Sequence, residues 1–235
     1  MLLKSRTTKI LSVIFLIIIF TYSCKEEKKD GEIDEGHIKY DITYMGDSLD
    51  KFLAAFLPKH MTIKFKNNCT KNQMKGISGI VNFTHIKNHK EKSNITLVTI
   101  MDKKYKYIEK LNEPSLFFTE RPDMKAEYTG ETKKIAGYDC KKIHINIPSD
   151  EKNQNDTFDI YYTDMIKIKS FNDHTPFQSL DGVLLEFQLE FYGIPLKFKA
   201  TEVKQHSISP NEFEIPNGYK RINKKTMKEI IDLMK

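Results

Sequence analysis

The chain has 235 residues, of which 39% are hydrophobic and 30% charged. That is apolar enough to bury one core, and it excludes a chain too polar to fold. The formal charge of +6 comes from interspersed Lys and Glu rather than a basic block, which argues against a nucleic-acid binder built on a concentrated positive face.

The first 23 residues carry Lys4, Arg6 and Lys9 and no acid, followed by an apolar run from Ile10 to Phe20. A bilayer span needs about 20 apolar residues, so this run suits a secretory segment instead. It ends in Thr21-Tyr22-Ser23-Cys24, and Lys25-Glu26-Glu27 follows at once. This pattern resembles the signal peptide of bacterial lipoproteins cut by signal peptidase II. The resemblance implies cleavage between Ser23 and Cys24, with acyl chains on the Cys24 thiol and amine. Thr21 stands where Leu is usual, and Tyr22 is bulky. Two or more acyl chains anchor a protein stably, whereas one is marginal. Lys25-Glu26-Glu27 resembles the short acidic export signal of some Bacteroidota lipoproteins; read plainly, it is a solvated tether. The expected location is the outer membrane, facing either the periplasm or the cell surface. With Cys24 lipidated, Cys69 and Cys140 remain, an even number that in an oxidising compartment makes them a candidate disulfide; two separate thiols are the alternative.

Residues 24–36 read as a charged, flexible tether, and 37–235 as a single domain. Ile38, Tyr40, Ile42 and Tyr44 alternate, so 37–45 is expected to be a strand with one buried face. Leu49, Phe52, Leu53, Phe56 and Leu57 share a helical stripe over 48–57, which Pro58 ends. Met61, Ile63 and Phe65 alternate again. Residues 67–73 read as a polar turn, 76–86 as a strand bent at Gly79, and 85–91 as a hairpin tip. Ile95–Thr99 and Tyr105–Glu109 are expected strands around a turn at 101–103, and 111–123 reads as irregular.

In the C-terminal half, strands are expected before and after Ala136-Gly137, at Phe158–Tyr162, and on both sides of Gly193-Ile194-Pro195. Residues 165–180 read as irregular. A terminal helix is expected over 226–234, where Thr226 and Glu229 match a capping box. About ten strands with hairpin-scale links and few helices predict a mainly β (α+β) domain. Its expected form is a strongly curved antiparallel sheet or half-barrel, with one short helix after the first strand and another at the C-terminus.

Glu131–Lys142, Tyr161–Asp164, Gly182–Phe187, Ala200–Lys204 and Phe213–Lys220 together resemble an uncharacterised envelope-domain family of Bacteroidota, related in pattern to GLPGLI-type proteins. These are similar to the LolA/LppX lipoprotein-carrier fold, in which a half-barrel wraps helices and leaves an apolar cavity. The resemblance covers about 90 residues. Bottom-up, Gly137, Gly182, Gly193 and Gly218 suit turns, and Tyr138, Tyr219 and Asp164 suit packing and turns.

No phosphate loop, nucleophile elbow or Cys-x-x-Cys pair occurs. His85 and His89 have a metal-like spacing, but on an expected hairpin tip and not on a helix. No metal or other cofactor is expected, and no catalytic residue stands out. Two readings follow. One is a carrier or sensor of a lipid or other apolar ligand, with Phe52, Leu53, Phe56, Leu116, Phe117 and Phe118 as candidate cavity residues. The other is a non-enzymatic interaction module with a filled core and an envelope protein partner. The membrane is the expected partner through the N-terminal lipid in either case.

Overall fold

A computed structural model describes residues 31–45, 55–88, 93–109, 118, 123–148, 156–169, 171–191 and 194–232. From Ile33 to Lys235 the chain forms one compact unit, which holds the whole sheet and its apolar clusters. Ile33–Gly36 of the expected tether therefore belong to the domain, and Ile33 is buried.

Twelve strands form one sheet in the order β12-β6-β5-β4-β3-β2-β1-β11-β10-β9-β8-β7. They are β1 (Glu35–Tyr44), β2 (His60–Lys66), β3 (Cys69–Lys75), β4 (Val81–Asn88), β5 (Ser93–Ile100), β6 (Lys103–Glu109), β7 (Lys125–Ile135), β8 (Tyr138–Ile147), β9 (Asp156–Thr163), β10 (Val183–Phe191), β11 (Ile194–Gln205) and β12 (Lys220–Arg221). The first six run as a meander in one direction. The next five run as a second meander that returns β11 to the free side of β1. Every pairing is antiparallel except the two-residue contact of β12 with β6.

The sheet is open and strongly curved. Phe83 on β4 and Phe191 on β10 are separated by four intervening strands. In a flat sheet that would place them about 24 Å apart. Their ring centroids are 5.5 Å apart, edge to face. Likewise Tyr40 on β1 reaches past β11 to donate a hydrogen bond of 2.8 Å to the Leu184 carbonyl on β10. The curvature folds the apolar face onto itself, and Ile38, Tyr40, Ile63, Phe65, Leu184, Phe187 and Phe198 fill the main cluster. Two bulges tighten the bend, one on β11 opposite Lys39/Tyr40 and one at Leu184/Glu186 of β10. The second puts Leu184 and Phe187, of opposite parity, on the same concave side. At the join of β1 and β11, a Cβ on Gly36 would lie 2.3 Å from the Lys204 carbonyl oxygen, so only glycine fits there.

The C-terminal segment covers both faces of β3–β6. Ile208 and Phe213 pack on the outer side against Cys69, Ile86, Ile95 and Leu97. The chain then crosses the edge at β12, and α1 (Lys224–Asp232) lays Met227 and Ile231 on Val81, Phe83, Val98 and Tyr107 inside.

Several sequence expectations are corrected. Residues 69–73 are strand, not turn. The reversal needs only Asn67 and Asn68, both at positive φ, as a tight hairpin turn requires. His85 and Lys87 lie within β4, and the hairpin comes after Asn88. The helix starts at Lys224 with Asn223 as its cap, since Asn223 Oδ1 accepts from the Thr226 amide at 2.9 Å; Thr226 is inside the first turn. Cys69 and Cys140 are not bridged. Both are free and buried, and they pack in two different apolar clusters. Of the helix expected at 48–57, residues 48–54 lie outside the described residues and 55–57 form a turn.

Candidate functional site

Cross-strand register arranges the concave side of β2–β6 in three rows. The first is apolar: Met61, Met74, Phe83, Val98 and Tyr105. The second runs Ile63, Asn72, His85, Thr96, Tyr107, and the third Phe65, Thr70, Lys87, Asn94, Glu109. Polarity therefore rises along the strands, from a greasy row to one with a lysine and a carboxylate. Thr70, Asn94, Thr96 and Glu109 are all buried, so each of them must find a partner within the protein.

The strap from Asp164 to Gly182 closes over these rows. It is fixed at one end by Ile33, whose amide donates to the Met165 carbonyl at 3.0 Å and whose carbonyl accepts from the Lys167 amide at 2.7 Å. Its turn is built by Asn172, which is buried and donates from Nδ2 to the carbonyls of Leu180 (2.6 Å) and Gly182 (3.1 Å). Thr175 Oγ1 donates back to the Asn172 carbonyl at 2.6 Å. Asp173 pairs with Lys87 at 2.9 Å, and His174 Nε2 lies 2.9 Å from Asn94 Nδ2, so the third row holds the strap.

Between strap and sheet lies a pocket of about 120 Å³. Its apolar walls are mostly phenylalanine: Phe83, Phe118, Phe171, Phe177, Phe187, Phe191 and Phe198. Its polar end is made by Thr70, Asn72, His85, Lys87, Asp173 and His174. Just behind that end, Glu109 accepts from Thr96 Oγ1 at 3.0 Å and pairs with His85 Nε2 at 3.8 Å. Burial pushes the Glu109 carboxyl up, but His85, the Thr96 hydrogen bond and His174 together outweigh it and hold the pKa below the ordinary value. The ionisable groups of the pocket are thus arranged as pairs, Lys87 with Asp173 and His85 with Glu109.

Of the expected cavity residues, Phe118 lines the pocket, bridged to Phe191 on β10. Phe56 does not; its carbonyl sits beside Gly76 at the β3–β4 connection. Phe52, Leu53, Leu116 and Phe117 lie outside the described residues, as do Ser23, Cys24, Lys25, Glu26 and Glu27. Sequence reasoning missed Asn72, Lys87 and the strap. A usable signal was Phe171-Asn172-Asp173-His174-Thr175-Pro176-Phe177, where turn-forming side chains sit between two large apolar ones. Asp164, expected at a turn, lies at a bend and pairs with Lys141 at 2.6 Å.

Residues 52–181 match the domain family described as a domain of unknown function, DUF4412, which is more than half of the chain. The chain belongs to the DUF4412 family. No curated protein matches it. Among solved structures it is similar to PNGF-II in two space groups. In P21 the TM-score is 0.48 at 16% identity, covering 86% of this chain and 34% of that one. In C2 it is 0.47 at 18% identity, covering 84% and 32%. The chain thus spans about a third of the length of PNGF-II.

The DUF4412 match holds the polar end of the pocket and the strap as far as Asp181, whereas Leu184, Phe187, Phe191 and Phe198 of the opposite wall follow it in sequence. Among the described residues no group of three or more His, Cys, Asp or Glu is placed to hold a metal. The depressed Glu109 pKa has a consequence for acid stability. A carboxyl lowered in the folded state contributes stability above its unfolded value, near 4.5, and loses it as pH falls through the folded value. Glu109→Gln is therefore expected to cost about 1–3 kcal/mol at pH 7 in urea denaturation. The gap to the unaltered protein is expected to shrink as pH drops below 4.5. An equal gap at both pH values would refute this role.

Proposed function

We propose that this DUF4412 domain is a non-enzymatic binding module that takes a small apolar ligand, or the end of a longer lipid chain, in the pocket under the strap. The observation that carries the reading is a space of about 120 Å³ on the concave side of the half-barrel, walled by seven phenylalanines. Protein interiors hold few voids larger than a water molecule. Apolar side chains around an empty space lose packing contacts, and an occupant can restore part of them. The volume suits a ring or a short branched alkyl group, since an engineered apolar cavity of about 150 Å³ holds benzene. It is below the ~300–1,000 Å³ of pockets that enclose a whole drug-sized ligand.

We further propose that Cys24 anchors the chain to the outer membrane through acyl groups, with the domain beyond the tether on the periplasmic or outer side. The sequence from Lys4 to Glu27 supports this. The rival reading, a module that docks an envelope protein, draws on the open edge of β7, which is exposed almost throughout and carries Tyr128 at 57% exposure. That edge also carries Lys125, Lys133 and Lys134 and an irregularity between Tyr128 and Thr132, the features that discourage strand pairing. The pocket is the better supported site.

Two outcomes are expected. Toluene added to residues 25–235 should raise the melting temperature in proportion to binding. Met74→Trp, which puts an indole into the same space, should abolish the shift. A melting temperature indifferent to toluene would refute the pocket reading. For the anchor, growth with radiolabelled palmitate should label the unaltered protein and not Cys24→Ala, which should leave the membrane fraction; equal labelling of both would refute it.

A further inference from the structure

The fold gathers charge that the sequence spreads out. Elsewhere in the sheet many lysines face a carboxylate: Lys64 and Lys71 share Glu212, and Lys66, Lys133 and Lys142 pair with Glu35, Glu186 and Asp159. The edge made by β6, β12 and α1 differs. Lys103, Lys104 and Lys106 lie on β6, Lys220 and Arg221 on β12, and Lys228 on α1. All are exposed except the half-buried Lys106, and none of the six has an ion-pair partner among the described residues. The acids of these elements do not cancel them. Glu109 is buried beside His85, and Glu229 pairs with Lys225 at 4.0 Å, which leaves Asp232 and, in the turn before β6, Asp102. The parallel register sets Arg221 beside Lys106 and Lys220 beside Tyr105. Alternation turns Lys104 and Lys106 to the face opposite Tyr105 and Tyr107, so the rim is cationic on both sides. Its tip is apolar. Met101, in that same turn, is 74% exposed, and Ile77, between β3 and β4, is 50% exposed. The Met101 amide donates to the Ile80 carbonyl at 2.6 Å, and the Ile80 amide to the Ile77 carbonyl at 3.2 Å, which holds the two turns side by side.

We propose that this edge docks on an anionic lipid bilayer, with Met101 and Ile77 entering the headgroup region and the six cations meeting lipid phosphates. Each Lys or Arg near an anionic leaflet is attracted to it, and apolar side chains add binding in proportion to the area they bury there. Cations alone would also suit a nucleic acid or an acidic protein. The exposed methionine and isoleucine favour the bilayer, because they gain from lipid and gain nothing from a phosphate backbone in water. The inference needs neither the pocket nor acylation at Cys24, so its failure would leave both of those readings standing. It gives the domain its own contact with the surface to which the proposed anchor ties it.

The chain has no tryptophan, so Met101→Trp in residues 25–235, which hold the whole compact unit, supplies a single fluorescent reporter. Its emission is expected to shift to the blue with vesicles of phosphatidylcholine containing about 30% phosphatidylglycerol, and to stay unchanged with phosphatidylcholine alone. Tyr128→Trp, on the β7 edge, should shift with neither. In co-sedimentation, the joint variant Lys104→Glu, Lys106→Glu, Arg221→Glu should bind the anionic vesicles at least about tenfold more weakly. The joint variant Lys125→Glu, Lys169→Glu, Lys199→Glu changes the net charge by the same amount on other exposed positions and should bind nearly as the unaltered protein does. Absence of the blue shift with anionic vesicles would overturn the proposal. Equal losses in the two joint variants would reduce the attraction to net charge and overturn it as well. Binding of poly-glutamate without binding of vesicles would assign the edge to an acidic protein instead. Should the first joint variant fail to fold, the comparison of Met101→Trp with Tyr128→Trp decides the matter alone, and a blue shift common to both would count against this edge.

Discussion

The structure depends on the double pairing of β1. One strand, Glu35–Tyr44, holds β2 on one side and β11 on the other, and so joins two meanders that are otherwise separate sheets. Its inward residues Ile38 and Tyr40 are fully buried because the two arms bend around them. The Tyr40 hydroxyl fastens the bend by reaching Leu184. A flat twelve-strand sheet would expose its apolar face; curvature lets that face bury against itself, and α1 and the strap seal what remains. Phe83 meeting Phe191 is the outcome of that constraint. The pocket exists because the two arms meet at an edge-to-face aromatic contact without filling the space below it.

The same geometry places polarity. Antiparallel register carries Thr70, Lys87, Asn94 and Glu109 across four strands at one level of the concave face. A polar row inside a half-barrel is costly unless each member is satisfied. The strap satisfies much of it, with Asp173 on Lys87 and His174 beside Asn94. The polar row thus both shapes one end of the pocket and fastens its cover. The pocket and its closure are one construction, so a ligand at the polar end would also lie against the residues that hold the strap.

Much of the fold was legible because alternation is a direct imprint of a half-buried strand. Ile38–Tyr44, Met61–Phe65, Tyr105–Glu109 and Phe158–Tyr162 all stand where their period of two puts them. The strand β3 was not legible, and the reason is instructive. Its inward positions include Thr70 and Asn72, which in sequence read as turn chemistry. The residues that make the pocket polar are therefore the ones that hid the strand. The strap was obscured for a related reason: its order comes from Asn172 bonding to Leu180 and Gly182, a local arrangement with no periodicity. The disulfide expectation failed because cysteine counting carries no information on packing, and Cys69 and Cys140 fall in two different apolar clusters.

The central claim is that the curved sheet leaves an apolar space able to take a guest. A crystal of residues 25–235 under xenon pressure tests it most directly, because xenon enters dry apolar cavities of this size. The account predicts xenon density bounded by Phe83, Phe187 and Phe191 under the strap. Side chains closed over that space, with no xenon bound in it, would contradict the account.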